Sequence, residues 1–177
     1  MRAYADTSFM VKLVTDEPGS EAAMAEFRRL DFPALFFLPL HGLEVANAIR
    51  HRAFHLRRTA GTRQRGAIVR ERDAALARIE RWLERGWFTE AASDCDEALT
   101  RARTLSEKYT ERLGCRGFDL LHVALALELE CEVFLTSDRI QAALARAEGL
   151  GVAVSADEWR IAAARQKERR SQCGKKS

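Results

Sequence analysis

Short apolar runs that stop at a carboxylate, each followed at once by a helical pattern, constrain this chain more than any other feature. Residues 3–6 read as a strand ending in Asp6, and the apolar helical stretch 9–14 follows. Residues 132–136 read as a strand, Asp138 lies just beyond it, and a helix over 138–147 follows. Between these, strands are expected over 34–38 and 87–91, with a last one over 152–154. Helices are expected over 20–30 (capped by Ser20), 40–56, 65–85, 94–113 and 118–129. Strands that alternate with helices in this way build a parallel sheet covered on both faces.

The chain is long enough to bury its own core. It has 177 residues, 47% of them hydrophobic, which suits one domain and excludes whole-chain disorder. No apolar stretch approaches the roughly 18 residues of a membrane span. The opening Met1-Arg2-Ala3-Tyr4-Ala5-Asp6 reaches an acid before a signal-peptide core can form, so a soluble cytoplasmic protein without a membrane partner is expected. Cys95, Cys115, Cys131 and Cys173 are scattered, which argues for reduced thiols and against a zinc site. The expected organisation is a domain over residues 1–156, then a C-terminal helix and basic tail over 157–177.

Charge is unevenly placed. Residues 50–72 hold eight arginines and one acid, and residues 165–177 hold six basic residues and one acid. The remainder has 15 basic and 24 acidic residues, a net of −9. An acidic body thus carries two basic patches, the kind of surface that attracts polyanions.

In parallel α/β sheets ligands bind outside the carboxyl ends of the strands. The acids at such places are Asp6, Asp138 and Asp119, which opens the helix after Gly117. Glu44 lies within an apolar helix beside Leu43, Val45 and Ala46. Each has a structural alternative. The aspartates could be helix N-caps, and Glu44 could share a polar stripe with Asn47 and His51. Four carboxylates brought together would repel by about 4 kcal/mol per close pair at an effective dielectric near 20. Such a cluster persists when a cation neutralises it, and oxygen-only ligands select Mg²⁺ or Mn²⁺.

Four segments resemble the motifs of PIN-domain ribonucleases. They are Tyr4-Ala5-Asp6-Thr7-Ser8-Phe9; Gly42-Leu43-Glu44-Val45-Ala46-Asn47-Ala48; Arg116-Gly117-Phe118-Asp119-Leu120-Leu121-His122-Val123-Ala124; and Val133-Phe134-Leu135-Thr136-Ser137-Asp138. The likeness is strongest to VapC-type toxins of toxin–antitoxin pairs. The resemblance implies a three-layer α/β/α PIN-like domain with a central, mostly parallel sheet. It implies that Asp6, Glu44, Asp119 and Asp138 hold Mg²⁺ (or Mn²⁺) and serve the hydrolysis of single-stranded RNA.

By the same resemblance Ser8 and Thr136 are hydroxyls beside the site that orient a carboxylate or water. His122 matches a frequent residue of the third motif and is assigned to packing one turn after Asp119. A VapB-like cognate antitoxin and a homodimer are also implied. Arg50, Arg52, Arg57 and Arg58, just beyond Glu44, are candidates to contact RNA or the antitoxin. Rival readings are a PIN-fold nuclease in RNA processing or acting on DNA, a non-catalytic PIN-like binding module, and an aspartyl-phosphate phosphatase. The last normally needs a second acid where Ser8 stands.

Overall fold

The structure is a computed structural model and describes residues 1–154. Among these, five strands form one all-parallel sheet: β1 (Ala3–Ala5), β2 (Leu35–Phe37), β3 (Phe88–Glu90), β4 (Val133–Thr136) and β5 (Gly151–Val154), in the order β3-β2-β1-β4-β5. Seven helices connect them: α1 (Thr7–Val14), α2 (Ser20–Arg29), α3 (Pro39–Thr59), α4 (Thr62–Glu84), α5 (Cys95–Leu113), α6 (Gly117–Glu128) and α7 (Arg139–Ala147).

Alternation along the two central strands divides the core. Ala3, Ala5 and Leu135 pack with Phe9, Phe27, Ile79 and Trp82 from α1, α2 and α4. Tyr4 and Phe134 point the other way and pack with Leu105, Val123, Leu125 and Leu144 from α5, α6 and α7. Helices α1–α4 therefore cover one face and α5–α7 the other, which is a three-layer α/β/α architecture. The central strands are buried on both sides, so they read as near-continuous apolar runs.

Several local details differ from the sequence-based expectation. Gly19, in the left-handed conformation, is the N-cap of α2; the Ser20 hydroxyl instead donates to Thr15 O and accepts from Glu17 N–H. Helix α3 begins at Pro39, since proline is favoured in a first turn, carries Gly42 within it, and reaches Thr59, two residues before Gly61. On α4, where the spacing predicts Ile68, Leu76, Ile79 and Leu83 on one side, the buried residues are Ala75, Ile79 and Trp82, while Ile68, Leu76 and Leu83 are only half-buried. Cys95, Cys115 and Cys131 are free thiols. No helix among the described residues is long and apolar enough to cross a membrane. The expected C-terminal helix, the boundary at 156/157, the basic tail and Cys173 lie outside the described residues.

The order of the sheet positions the site. The chain runs outward from β1 through β2 to β3, then returns to place β4 on the other side of β1. The crevice beyond the carboxyl ends of β1 and β4 is the topological switch point of the sheet. Register pairs Ala5 with Leu135, so the residues that follow each strand emerge side by side.

Candidate metal centre

Asp6 leaves β1 and serves as N-cap of α1. Its Oδ1 accepts from the Phe9 N–H at 2.9 Å, and Ser8 Oγ lies 2.9 and 2.8 Å from its two oxygens. Thr136, the last residue of β4, donates its hydroxyl to Asp6 Oδ2 at 2.8 Å. The same Thr136 oxygen accepts from the Asp138 N–H at 2.8 Å. Asp138 in turn caps α7, its Oδ1 accepting from Ile140 N–H and Gln141 N–H. One threonine hydroxyl therefore ties together the acids that follow the two central strands.

Asp6 is only 1% exposed. Burial pushes its carboxyl above the usual range, against the opposing pull of His122, the Phe9 N–H and the Thr136 and Ser8 hydroxyls. A carboxylate in this position is ready to gain from a nearby cation.

Asp119 occupies the third position of α6 and reaches back to the Arg116 N–H at 2.8 Å, closing the helix start. Gly114, at φ +74°, ends α5 in the left-handed region and lets the chain turn toward this start. The second Asp119 oxygen accepts from Gln141 Nε2 at 3.2 Å. Gln141 thus links Asp119 to the α7 turn capped by Asp138.

Glu44 approaches from α3. Its Oε2 accepts from the Thr7 hydroxyl and from His122 Nε2, both at 2.7 Å. Burial alone would raise the Glu44 carboxyl; the His122 and Thr7 hydrogen bonds overcome it and hold the group below its usual range. His122 is therefore more than packing: although 2% exposed, it contacts the carboxylate from below and hydrogen-bonds Tyr4 through Nδ1 at 2.8 Å. Residues 4 and 122 are too far apart in sequence for any spacing argument to pair them. The same holds for Thr7 with Glu44 and for Gln141 with Asp119.

Asp6, Glu44, Asp119 and Asp138 line one cleft of about 390 Å³, shared with Thr7, Ser8, Lys12, Arg52, Phe118, His122 and Gln141. The structural and the chemical readings of the aspartates coexist, since Asp6 and Asp138 cap helices and also face the cleft. Among the described residues, however, no three acids, histidines or cysteines stand close enough to grip an ion directly. Each carboxylate accepts from N–H or hydroxyl donors of its own surroundings. An all-oxygen donor set around an open cleft fits a hard divalent ion that keeps part of its water shell.

Of the four arginines singled out beyond Glu44, Arg52 lines this cleft and pairs with Glu17 at 3.1 Å. Arg50, Arg57 and Arg58 are exposed and lie outside its lining. Arg58 stands over the Phe54 ring.

Comparison with known proteins adds two findings. The sequence profile of the PIN domain matches residues 3–147. The solved structure of PAE2754 from Pyrobaculum aerophilum superposes with a TM-score of 0.52 over 92% of this chain and 96% of that one, at 18% identity, a likeness of fold. No curated protein matches the chain in sequence.

Proposed function

From the premise that this chain belongs to the PIN-domain family, whose members are generally metal-dependent nucleases, we propose that it is an endoribonuclease hydrolysing phosphodiester bonds of single-stranded RNA with Mg²⁺ or Mn²⁺. The observation that carries this reading is the bridge through Thr136. It joins Asp6 to the backbone of Asp138 at the switch point of the sheet, in a cleft that Glu44 and Asp119 also line.

Asp6, Glu44, Asp119 and Asp138 would hold the ion. When bound, a divalent cation supplies charge neutralisation for the phosphoryl group and acidifies a water nucleophile. The chain's residues do the rest. Asp6 is fixed by Ser8, Phe9 and Thr136, so its carboxylate needs no reorientation as charge develops. Glu44, with one oxygen anchored by Thr7 and His122, presents its other oxygen to the cleft. Arg52 and Lys12 place positive charge at the same cleft, where a phosphate backbone would lie.

The single-stranded preference is supported by Phe118, a 57% exposed ring in the cleft wall beside Asp119. An exposed aromatic at a phosphate site suits an unpaired base that can stack on it.

The narrower reading, a VapC-type toxin restrained by a VapB-like antitoxin and acting as a homodimer, rests on the four motif resemblances. Co-purification from the intact operon tests it: a lone monomer counts against both partners. For the chemistry, Asp6→Asn and Asp119→Asn are assayed for RNA cleavage and for Mn²⁺ binding. Both activities are expected to collapse while the fold persists. A well-folded variant that still cuts at the wild-type rate overturns the assignment.

A further inference from the structure

We propose that Tyr4 is a positioning residue for the acid cleft, acting through His122 on Glu44, an inference that rests on the metal-dependent reading above. Three side chains from three elements form one line that runs from the core to the cleft. The Tyr4 hydroxyl on β1 lies 2.8 Å from His122 Nδ1 on α6, and His122 Nε2 lies 2.7 Å from Glu44 Oε2 on α3.

The hydrogens along this line follow from which atoms can donate. An ionised carboxylate only accepts, so Nε2 carries the hydrogen that points at Glu44. The Thr7 hydroxyl donates to the same Glu44 oxygen at 2.7 Å, and its lone pairs face Nε2 at 3.4 Å. In the neutral imidazole, a hydrogen on Nε2 makes Nδ1 the acceptor and Tyr4 its donor. Tyr4 is 0% exposed, and burial keeps its hydroxyl protonated.

The surroundings hold both rings in place. Tyr4 stacks on Phe134 with centroids 5.6 Å apart, and His41 stacks on His122 at 5.5 Å. His41 is itself uncharged, since burial holds it down at about 3, and its Nδ1 accepts from the Leu38 N–H. Among the described residues Tyr4 is the hydrogen-bond partner of His122 Nδ1, so its hydroxyl favours the tautomer that turns an Nε2 hydrogen toward Glu44. With the ring fixed, one oxygen of Glu44 is pinned and the other is available to the cleft. A partner behind a ligand commonly sets its geometry in this way.

The test uses the full chain with Mn²⁺ as probe, and isotope-labelled histidine for ring-nitrogen NMR. In the wild type, His122 is expected to show a hydrogen on Nε2 and a hydrogen-bonded, bare Nδ1. In Tyr4→Phe the Nδ1 signal is expected to move to that of a nitrogen without a donor, and Mn²⁺ affinity to fall by about tenfold. His122→Gln keeps an amide donor for Glu44 without needing Tyr4, so adding Tyr4→Phe to it is expected to change Mn²⁺ affinity less than twofold.

An equal loss in both backgrounds marks a merely structural role and overturns the proposal. So does an unchanged affinity in Tyr4→Phe, or a wild-type His122 with its hydrogen on Nδ1. If the wild type itself binds no Mn²⁺, the metal-dependent reading falls and this inference falls with it. Wild-type binding that is insensitive to Tyr4 sinks the inference alone.

Discussion

Thr136 Oγ1 stands 2.8 Å from Asp6 Oδ2, joining residues 130 positions apart at the carboxyl ends of adjacent parallel strands. The hydroxyl donates to one acid and accepts from the backbone of another, so a single small side chain organises half of the acid cleft. Thr136→Val, of nearly equal volume, leaves Asp6 short of a donor and the Asp138 N–H without its acceptor. It is expected to lower stability by about 1–3 kcal/mol in urea denaturation and to weaken Mn²⁺ binding, with Thr136→Ser restoring both. A valine variant as stable as the wild type would show that the bridge is idle.

Asp6 carries the opposite sign from a carboxylate held by ion pairs at the surface. Its pKa is raised above the ordinary 3.8, so its contribution to stability is full below that value and is lost as pH rises through the folded value. Asp6→Asn without metal is therefore expected to melt no lower than the wild type at neutral pH. Adding Mn²⁺ is expected to raise the melting temperature of the wild type and not of Asp6→Asn. Equal Mn²⁺ shifts in both proteins count against Asp6 as a ligand.

His41 predicts an acid sensitivity of its own. Burial holds its pKa at about 3 against an ordinary 6.5, so between those values the unfolded chain binds a proton that the folded one refuses. The stability it contributes is complete above 6.5 and is lost as pH falls toward 3, by up to about 1.4 kcal/mol per pH unit. His41→Asn, whose side-chain oxygen can still accept from Leu38 N–H, is expected to flatten that slope by one proton. An unchanged slope in urea titrations across the window would refute the assignment.

Arg52 and Arg57 separate cleft charge from helix-face charge. In an Asp6→Asn background, Arg52→Ala is expected to weaken single-stranded RNA binding and reduce the salt slope by about 0.7. Arg57→Ala, exposed and outside the cleft lining, is expected to change the slope less. Equal effects would move the RNA path away from the cleft.

Phe118 distinguishes unpaired from paired substrates. Phe118→Ala is expected to reduce affinity for a single-stranded oligonucleotide by about 1–3 kcal/mol and to leave duplex binding unaffected. Parallel losses for both would argue against base stacking at this position.

The strand–helix order was legible because each signal is local. Continuous apolar runs in the short central strands and 3.6-residue spacing in α3 and α5 are carried by neighbouring residues. Even the misplaced cap at Ser20 was a local contest, decided when Gly19 took a left-handed conformation that serine tolerates poorly.

What the sequence determined on its own is the set of parts: a carboxylate after each central strand, one inside α3, one at the start of α6, and the faces that must be buried. Which parts touch was decided by the packed sheet. The order β3-β2-β1-β4-β5 brings Thr136 to Asp6, and the packing of α3 and α6 over its edge brings His122 between Tyr4 and Glu44. Those contacts span from 78 to 130 residues, and hydrogen bonds depend on ångström-scale placement that no periodicity encodes. Local patterns choose the elements; only close packing of the whole chain chooses their neighbours.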